Sequence, residues 1–195
     1  MHRTMFDTPI LKTLLRWISI IILKLLGWKV EGEIPRDLKK CVMIAAPHTS
    51  NWDLPYTLMT AFALNAKVYW MGKEEIFKPP YRGIMMWMGG IPVDRKKSNN
   101  MVQASIDALK ANNQLFLIVP PEGTRSKVTY WKTGFYHIAQ GAGVPILMGF
   151  LDFKRKASGI ADTYITTGDI EVDMKHIKSI YAPITGKISE QFHQS

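Results

Sequence analysis

The chain has 195 residues, 47% of them hydrophobic, and 25 Lys and Arg against 16 Asp and Glu give a formal net charge of +9. That length favours one domain around one core. The single cysteine, Cys41, excludes an intrachain disulfide and a Cys-based zinc site, and it fits a reducing compartment.

The positive excess is uneven. Residues 1–150 hold 19 basic and 10 acidic side chains, whereas residues 151–195 hold 6 of each. The upstream part therefore suits an anionic partner such as phospholipid, nucleic acid or a phosphorylated substrate. The basic residues follow no nucleic-acid reader motif, so no nucleic-acid partner is expected.

Residues 9–27 read as a helix, with Pro9 in its first turn and Gly27 at its end. At about 100° per residue, Lys12, Arg16 and Ser19 share a narrow face. Ile10, Leu14, Trp17, Ile21, Leu25 and Trp28 occupy the wider opposite arc. The pattern fits an amphipathic helix lying in a bilayer interface; packing on the core is the other reading it allows. Lys12, Arg16 and Lys24 interrupt the apolar stretch, which falls short of the roughly 18 uncharged residues of a spanning helix. No small-residue cleavage site follows, so a secretory signal fits poorly.

Further along, the apolar run at 41–46 reads as a buried strand. A helix follows over 52–65, with Ser50 or Asn51 as candidate cap and Asp53 in its first turn. Residues 67–71 form a second strand. Residues 74–88 look helical but are broken by Pro79, Pro80 and Gly83. After the turn at Gly89 and Gly90 come a strand at 91–93, a helix over 99–111, a strand at 115–119, a helix over 134–141 and a strand at 145–150. Beyond Asp152 the periodicity weakens, leaving a strand at 164–167 and a helix at 171–179. Strands alternating with helices imply an α/β fold, a single domain with a largely parallel mixed sheet flanked by helices.

His48 stands five residues before Asp53. His2 and Asp7 repeat that spacing in a terminus expected to lack order, so spacing alone decides nothing. Context separates them: His48 follows a buried strand and Asp53 opens the next helix, which directs both side chains into the crevice at the strand's C-terminal end. There a carboxylate fixes one ring nitrogen while the other is free to take a proton from a hydroxyl. A His and an Asp that merely cap a loop fit the same residues.

After the strand at 115–119 come Pro120, Pro121, Glu122, Gly123, Thr124, Arg125 and Ser126. Gly123 permits a tight turn, Thr124 and Ser126 bring hydroxyls, and Arg125 brings a planar fork suited to phosphate. A surface turn with a solvated Arg is the alternative. Gly90, Asp94 and Arg95, followed by Lys96 and Lys97, likewise couple a glycine turn to a basic group, unless Asp94 simply pairs with Arg95. No zincin helix, phosphate-binding glycine loop or serine nucleophile elbow occurs.

In this order the segments resemble the lysophospholipid acyltransferase family, which includes the 1-acylglycerol-3-phosphate acyltransferases. The likeness covers residues 30–150. It is carried by His48, Ser50 and Asp53, by Gly90, Asp94 and Arg95, by the unbroken block 121–126, and by Val144, Pro145 and Ile146. The resemblance implies an interfacial helix over 1–29 and an acyltransferase domain over 30–195. It makes His48 the catalytic base and Asp53 its partner. Substrate binding falls to Ser50, Gly90, Asp94, Arg95, Glu122, Gly123, Thr124, Arg125, Ser126, Val144 and Pro145, and backbone N–H groups near 144–146 or in the turn 122–126 are candidate oxyanion donors.

The implied reaction moves an acyl group from acyl-CoA or acyl-carrier protein to the hydroxyl of a lysolipid, foremost 1-acylglycerol-3-phosphate to give phosphatidic acid, with no cofactor. Another lipid or amino-lipid acceptor, or a noncatalytic lipid-binding protein, are the alternatives. The implied location is peripheral, monotopic, on the cytoplasmic face of a membrane and in contact with its phospholipids. Met85, Met86, Trp87 and Met88 suit either an acyl channel or ordinary core. Three departures stand out: Pro47 replaces the usual Asn before the catalytic His, the stretch between Ser126 and Gly134 is short, and the likeness ends after Phe150.

Overall fold

The computed structural model describes residues 1–93, 98–124, 128 and 130–188, with the backbone alone at 98–100. Its helices are α1 (Pro9–Leu25), α2 (Asp53–Ala63), α3 (Arg82–Trp87), α4 (Ser98–Ala111), α5 (Gly134–Ala142) and α6 (Ile170–Tyr181). The strands are β1 (Lys29–Glu31), β2 (Lys40–Ala46), β3 (Val68–Lys73), β4 (Gly90–Val93), β5 (Leu115–Val119), β6 (Ile146–Asp152) and β7 (Ala157–Tyr164). They join one sheet in the order β1-β7-β6-β2-β5-β3-β4, in which only the β6–β7 pair is antiparallel.

Alternation along the central strands explains the layers. Val42, Ile44 and Ala46 of β2, with Leu115 and Leu117 of β5, meet Ile106 and Leu109 of α4 and Phe135, Ile138 and Ile177 of α5 and α6. Cys41 and Met43, with Phe116 and Ile118, face the other way onto Leu58, Ala61 and Phe62 of α2. Side chains two apart share a face, so apolar residues at every position bury both sides of the sheet. Among the described residues the α/β reading with a largely parallel mixed sheet flanked by helices is therefore observed.

The structure corrects four sequence expectations. The last strand is β7 at Ala157–Tyr164, ending where a strand at 164–167 was expected, and it pairs with β6 as a hairpin. The stretch 74–88 divides into a 3₁₀ turn (Glu74–Phe77) and the short helix α3. The amino-terminal residues are ordered: Thr4 and Asp7 form a capping box, Met5 and Phe6 are buried, Asp7 pairs with Lys67, and His2 Nε2 lies 2.7 Å from the Met86 carbonyl. Finally, Trp28 does not join the exposed arc of α1, because it packs against the rings of Tyr56 and Phe153.

Helix α1 lies outside α2 with Ser19 and Leu23 buried. Its other side remains open, with Ile10 84%, Trp17 61% and Leu25 82% exposed beside Leu14 and Ile21. No helix among the described residues is long and apolar enough to cross a membrane.

Helix α6 is tied down by Asp173, which is wholly buried and accepts from the hydroxyls of Tyr136 (3.0 Å), Tyr164 (2.7 Å) and Thr167 (2.7 Å) and from the Thr167 amide (2.9 Å). Burial alone would raise its pKa, but these donors outweigh it and hold the carboxyl below its ordinary value. A group depressed in this way contributes stability above its unfolded pKa and loses it as pH falls through the folded value. Asp173→Ala strands the buried Tyr136 hydroxyl and removes the shared acceptor of Tyr164 and Thr167, so denaturant unfolding is expected to show a loss on the order of 3 kcal/mol.

Candidate active site

Parallel pairing brings the site together. Ile44 of β2 sits opposite Val119 of β5, so the loops leaving the two strands emerge at the same sheet edge. His48 is two residues past β2 and Glu122 three past β5. The end of β3 places Lys73 on that same edge.

The turn between β2 and α2 is folded around one carboxylate. Asp53 Oδ2 accepts from His48 Nδ1 at 3.0 Å, from the Thr49 amide at 2.8 Å and from the Ser50 amide at 2.9 Å, while Oδ1 accepts from the Ser50 hydroxyl at 3.0 Å. The Asp53 side chain is 5% exposed and that of His48 is 24% exposed. Held by an acceptor-only carboxylate, Nδ1 carries its proton and donates it, which leaves Nε2 as the basic nitrogen. His48 and Asp53 both line a cavity of about 1440 Å³.

Glu122 reaches the same turn from β5. Its Oε1 accepts from the His48 amide at 3.1 Å, and its Oε2 is buried with no hydrogen-bond partner among the described residues. Burial pushes its pKa up to about 7, with the His48 hydrogen bond pulling the other way. Glu122 therefore holds the histidine's backbone and does not line the cavity.

The predicted binding residues part company here. Gly123 and Thr124 line the cavity with His48, and the turn at Gly123 has φ +65, with Lys132 lying across it. Ser50 is buried and spends its hydroxyl on Asp53. Gly90 is packed where a Cβ would meet Phe77 at 2.7 Å, away from the cavity lining. Asp94, Arg95, Arg125 and Ser126 lie outside the described residues.

Val144 and Pro145 lie apart from the pair. Ile146 pairs with Val42 at the start of β2, while Ala46 at its end pairs with Phe150. At about 3.3 Å per residue, 144–146 lie at the opposite end of the sheet from His48, on the order of 15–20 Å away. There the Pro145 carbonyl accepts from the Val42 amide. The amides of His48, Thr49 and Ser50 donate to carboxylates, and that of Gly123 to the Pro120 carbonyl.

A model of the Acyltransferase family matches residues 27–148. The chain belongs to this family. Over 142 residues it is 31% identical to a 1-acyl-sn-glycerol-3-phosphate acyltransferase of Haemophilus influenzae, covering 68% of this chain and 57% of that protein. The protein of the same name from Escherichia coli is 28% identical over 132 residues, with 63% and 52% covered. The chain thus spans about half the length of the curated relatives it matches. The crystal structure of the 1-acyl-sn-glycerophosphate (LPA) acyltransferase PlsC of Thermotoga maritima superposes with a TM-score of 0.63 at 21% identity, covering 87% of this chain and 76% of that one, and so shares its fold.

Within this family member, two cavity-lining cations escaped the sequence reading. Lys73 ends β3 and Lys132 precedes α5. Each is a single basic residue without a phosphate-binding pattern around it, and only the topology brings them to the mouth that His48 occupies. The buried Glu122 yields a measurable consequence. A carboxyl whose folded pKa is raised contributes stability that is present below its ordinary value of 4.5 and is lost as pH rises through about 7. Glu122→Gln keeps an acceptor for the His48 amide, so its thermal midpoint is expected to fall less than that of the wild-type chain between pH 5 and pH 8. Parallel midpoints for the two proteins would contradict the raised value.

Proposed function

We propose that the chain transfers an acyl group from acyl-CoA or acyl-carrier protein to the hydroxyl of a lysolipid, foremost 1-acylglycerol-3-phosphate, at a membrane surface. The observation that carries this reading is the His48–Asp53 pair at 3.0 Å on the rim of a cavity that continues inward between α2 and the sheet. A protein that only binds lipid has no use for a histidine oriented by a buried carboxylate.

In the proposed step, Nε2 of His48 takes the proton of the acceptor hydroxyl as its oxygen attacks the thioester carbonyl. The C–O bond forms, the C–S bond breaks, and the proton passes from His48 to the departing thiolate. Such a positioned base contributes about 10²–10⁴ in rate. The inner cavity, with Met43, Leu54, Ala61, Trp70, Met85 and Ile160 on its walls, suits an acyl chain, each buried methylene contributing about 0.8 kcal/mol. Lys73 and Lys132 at the mouth suit an anionic headgroup, together with Arg95 and Arg125 of the family blocks.

The open face of α1 supports attachment to the surface that holds the acceptor. Exposed Ile10, Leu14, Trp17, Ile21 and Leu25 offer apolar burial, with Arg16 and Lys24 beside them for anionic headgroups. The location we propose is peripheral, on the cytoplasmic leaflet.

His48→Ala is expected to lower thiol release from acyl-CoA by at least about a hundredfold while the chain still folds. His2→Ala, which loses the Met86 hydrogen bond and the edge-on contact with the Tyr69 ring, keeps its turnover. Full activity in His48→Ala would end the reading of His48 as the base. Deleting residues 1–28 is a poor test of surface attachment because Leu23 and Trp28 belong to the core. The double substitution Trp17→Glu and Leu25→Glu keeps that core, and it is expected to shift the chain from the pellet to the supernatant in sedimentation with vesicles of mixed neutral and anionic phospholipid. High salt alone should release only part of the wild-type protein, because screening leaves the apolar contribution intact.

A further inference from the structure

The segment at residues 184–188 follows α6 and lies beyond the stretch matched by the family model. We propose that it is a positioning strap for the His48 turn, holding the catalytic pair in register. The inference rests on the reading of His48 as the base.

Gly186 is buried against the residues on either side of His48. A Cβ there would stand 2.8 Å from Thr49 Cγ2, 2.9 Å from Thr49 Oγ1 and 3.1 Å from Pro47 Cβ. Two residues on, the Ile188 amide donates to Thr49 Oγ1 at 3.2 Å. Thr49 in turn gives its own amide to Asp53 Oδ2. The segment thus reaches the carboxylate through one residue.

The strap is fastened independently of the turn it covers. Ile184 is buried in the core and its amide donates to the Tyr181 carbonyl at 3.0 Å. Thr185 O accepts from the Phe153 amide at 2.9 Å, which ties the segment to the β6–β7 turn. Lys187 Nζ lies 5.0 Å from the centre of the Trp52 ring and 5.5 Å from that of Phe153. Trp52 immediately precedes Asp53, so this cation–π contact meets the turn at its other end.

A loop leaving a sheet belongs to the less stable part of a fold unless something packs on it. Glu122 holds the His48 amide from the β5 side, and the strap holds Thr49 and Pro47 from the other. Catalytic groups must be kept within about 0.5 Å of productive geometry, and a two-sided support does this without touching substrate. Loosening it lowers the rate of the bound complex and leaves substrate affinity alone.

The test uses the full chain with Gly186→Ala, Thr49→Ala and the double variant, measuring thiol release from palmitoyl-CoA with 1-acylglycerol-3-phosphate. Gly186→Ala is expected to cut kcat by about tenfold or more, with both KM values within about twofold of wild type. Adding Thr49→Ala removes the two nearest atoms the new methyl meets, and it should bring kcat back to within about threefold of Thr49→Ala alone. Wild-type kcat in Gly186→Ala, or a double variant no better than Gly186→Ala, overturns the strap.

Should Gly186→Ala not fold, Ile188→Pro removes the amide donor to Thr49 at an exposed position, along with the Ile side chain and some backbone freedom at Lys187, and kcat is expected to fall by about threefold or more at constant KM. Wild-type kcat there is equally fatal. A wild-type chain that releases no thiol would fail the acyl-transfer reading instead. In that event the His48 ring resonances read the strap directly: they should move in Gly186→Ala and return in the double variant, and resonances that stay in place refute it.

Discussion

One buried carboxylate organises the turn on which the site depends. Asp53 gathers two backbone amides, a hydroxyl and an imidazole N–H. Each donor would be costly to bury unpaired, and so would the carboxylate without them. The backbone between β2 and α2 therefore has little freedom to fold any other way. The ring is aimed by the hydrogen bonds that also shape the turn, so orientation and local fold are a single property here.

That turn would still lead nowhere without the sheet. Parallel pairing of β2 with both β5 and β6 sends the strand ends to one edge, where Glu122 meets the His48 amide. The same register separates 144–146 from the chemistry, although all of these segments belong to the blocks that carry the family resemblance. Motif order along a chain records kinship; only the strand register says which motifs meet. Val144, Pro145 and Gly90 are better understood as parts of the scaffold, the first two where β6 begins and the third where β4 packs on Phe77.

The sequence was most legible where burial is two-sided. The runs at 41–46, 115–119 and 146–150 are apolar at nearly every position, which is what a central parallel strand needs. β7 escaped because Ala157, Ser158, Gly159 and Asp162 bring small and polar side chains to a buried strand; Ser158 is satisfied by Thr60 Oγ1 at 2.8 Å, and a Cβ at Gly159 would run into the Glu31 carbonyl. Neither fact shows in residue type alone. At the site, His48 and Asp53 were readable from context, whereas the supporting roles of Ser50 and Glu122 depend on which way a loop side chain turns. The segment 184–188 carries no motif, and its contact with Thr49 exists only in three dimensions.

The rings of Trp28, Tyr56 and Phe153, tilted or edge-on to one another, join the end of α1 to α2 and to the β6–β7 turn. Helix α2 is the element that begins with Asp53, so α1 and the His48–Asp53 pair are parts of one rigid block. On the reading that α1 rests in a leaflet, the height and tilt of the cavity mouth above the headgroups are set by core packing, with no hinge in between. Such a block cannot stoop to its substrate. On the same reading a lipid acceptor has to rise or turn within its own layer to present its hydroxyl, which would make the fluidity and packing of the surrounding bilayer an ingredient of the turnover rate.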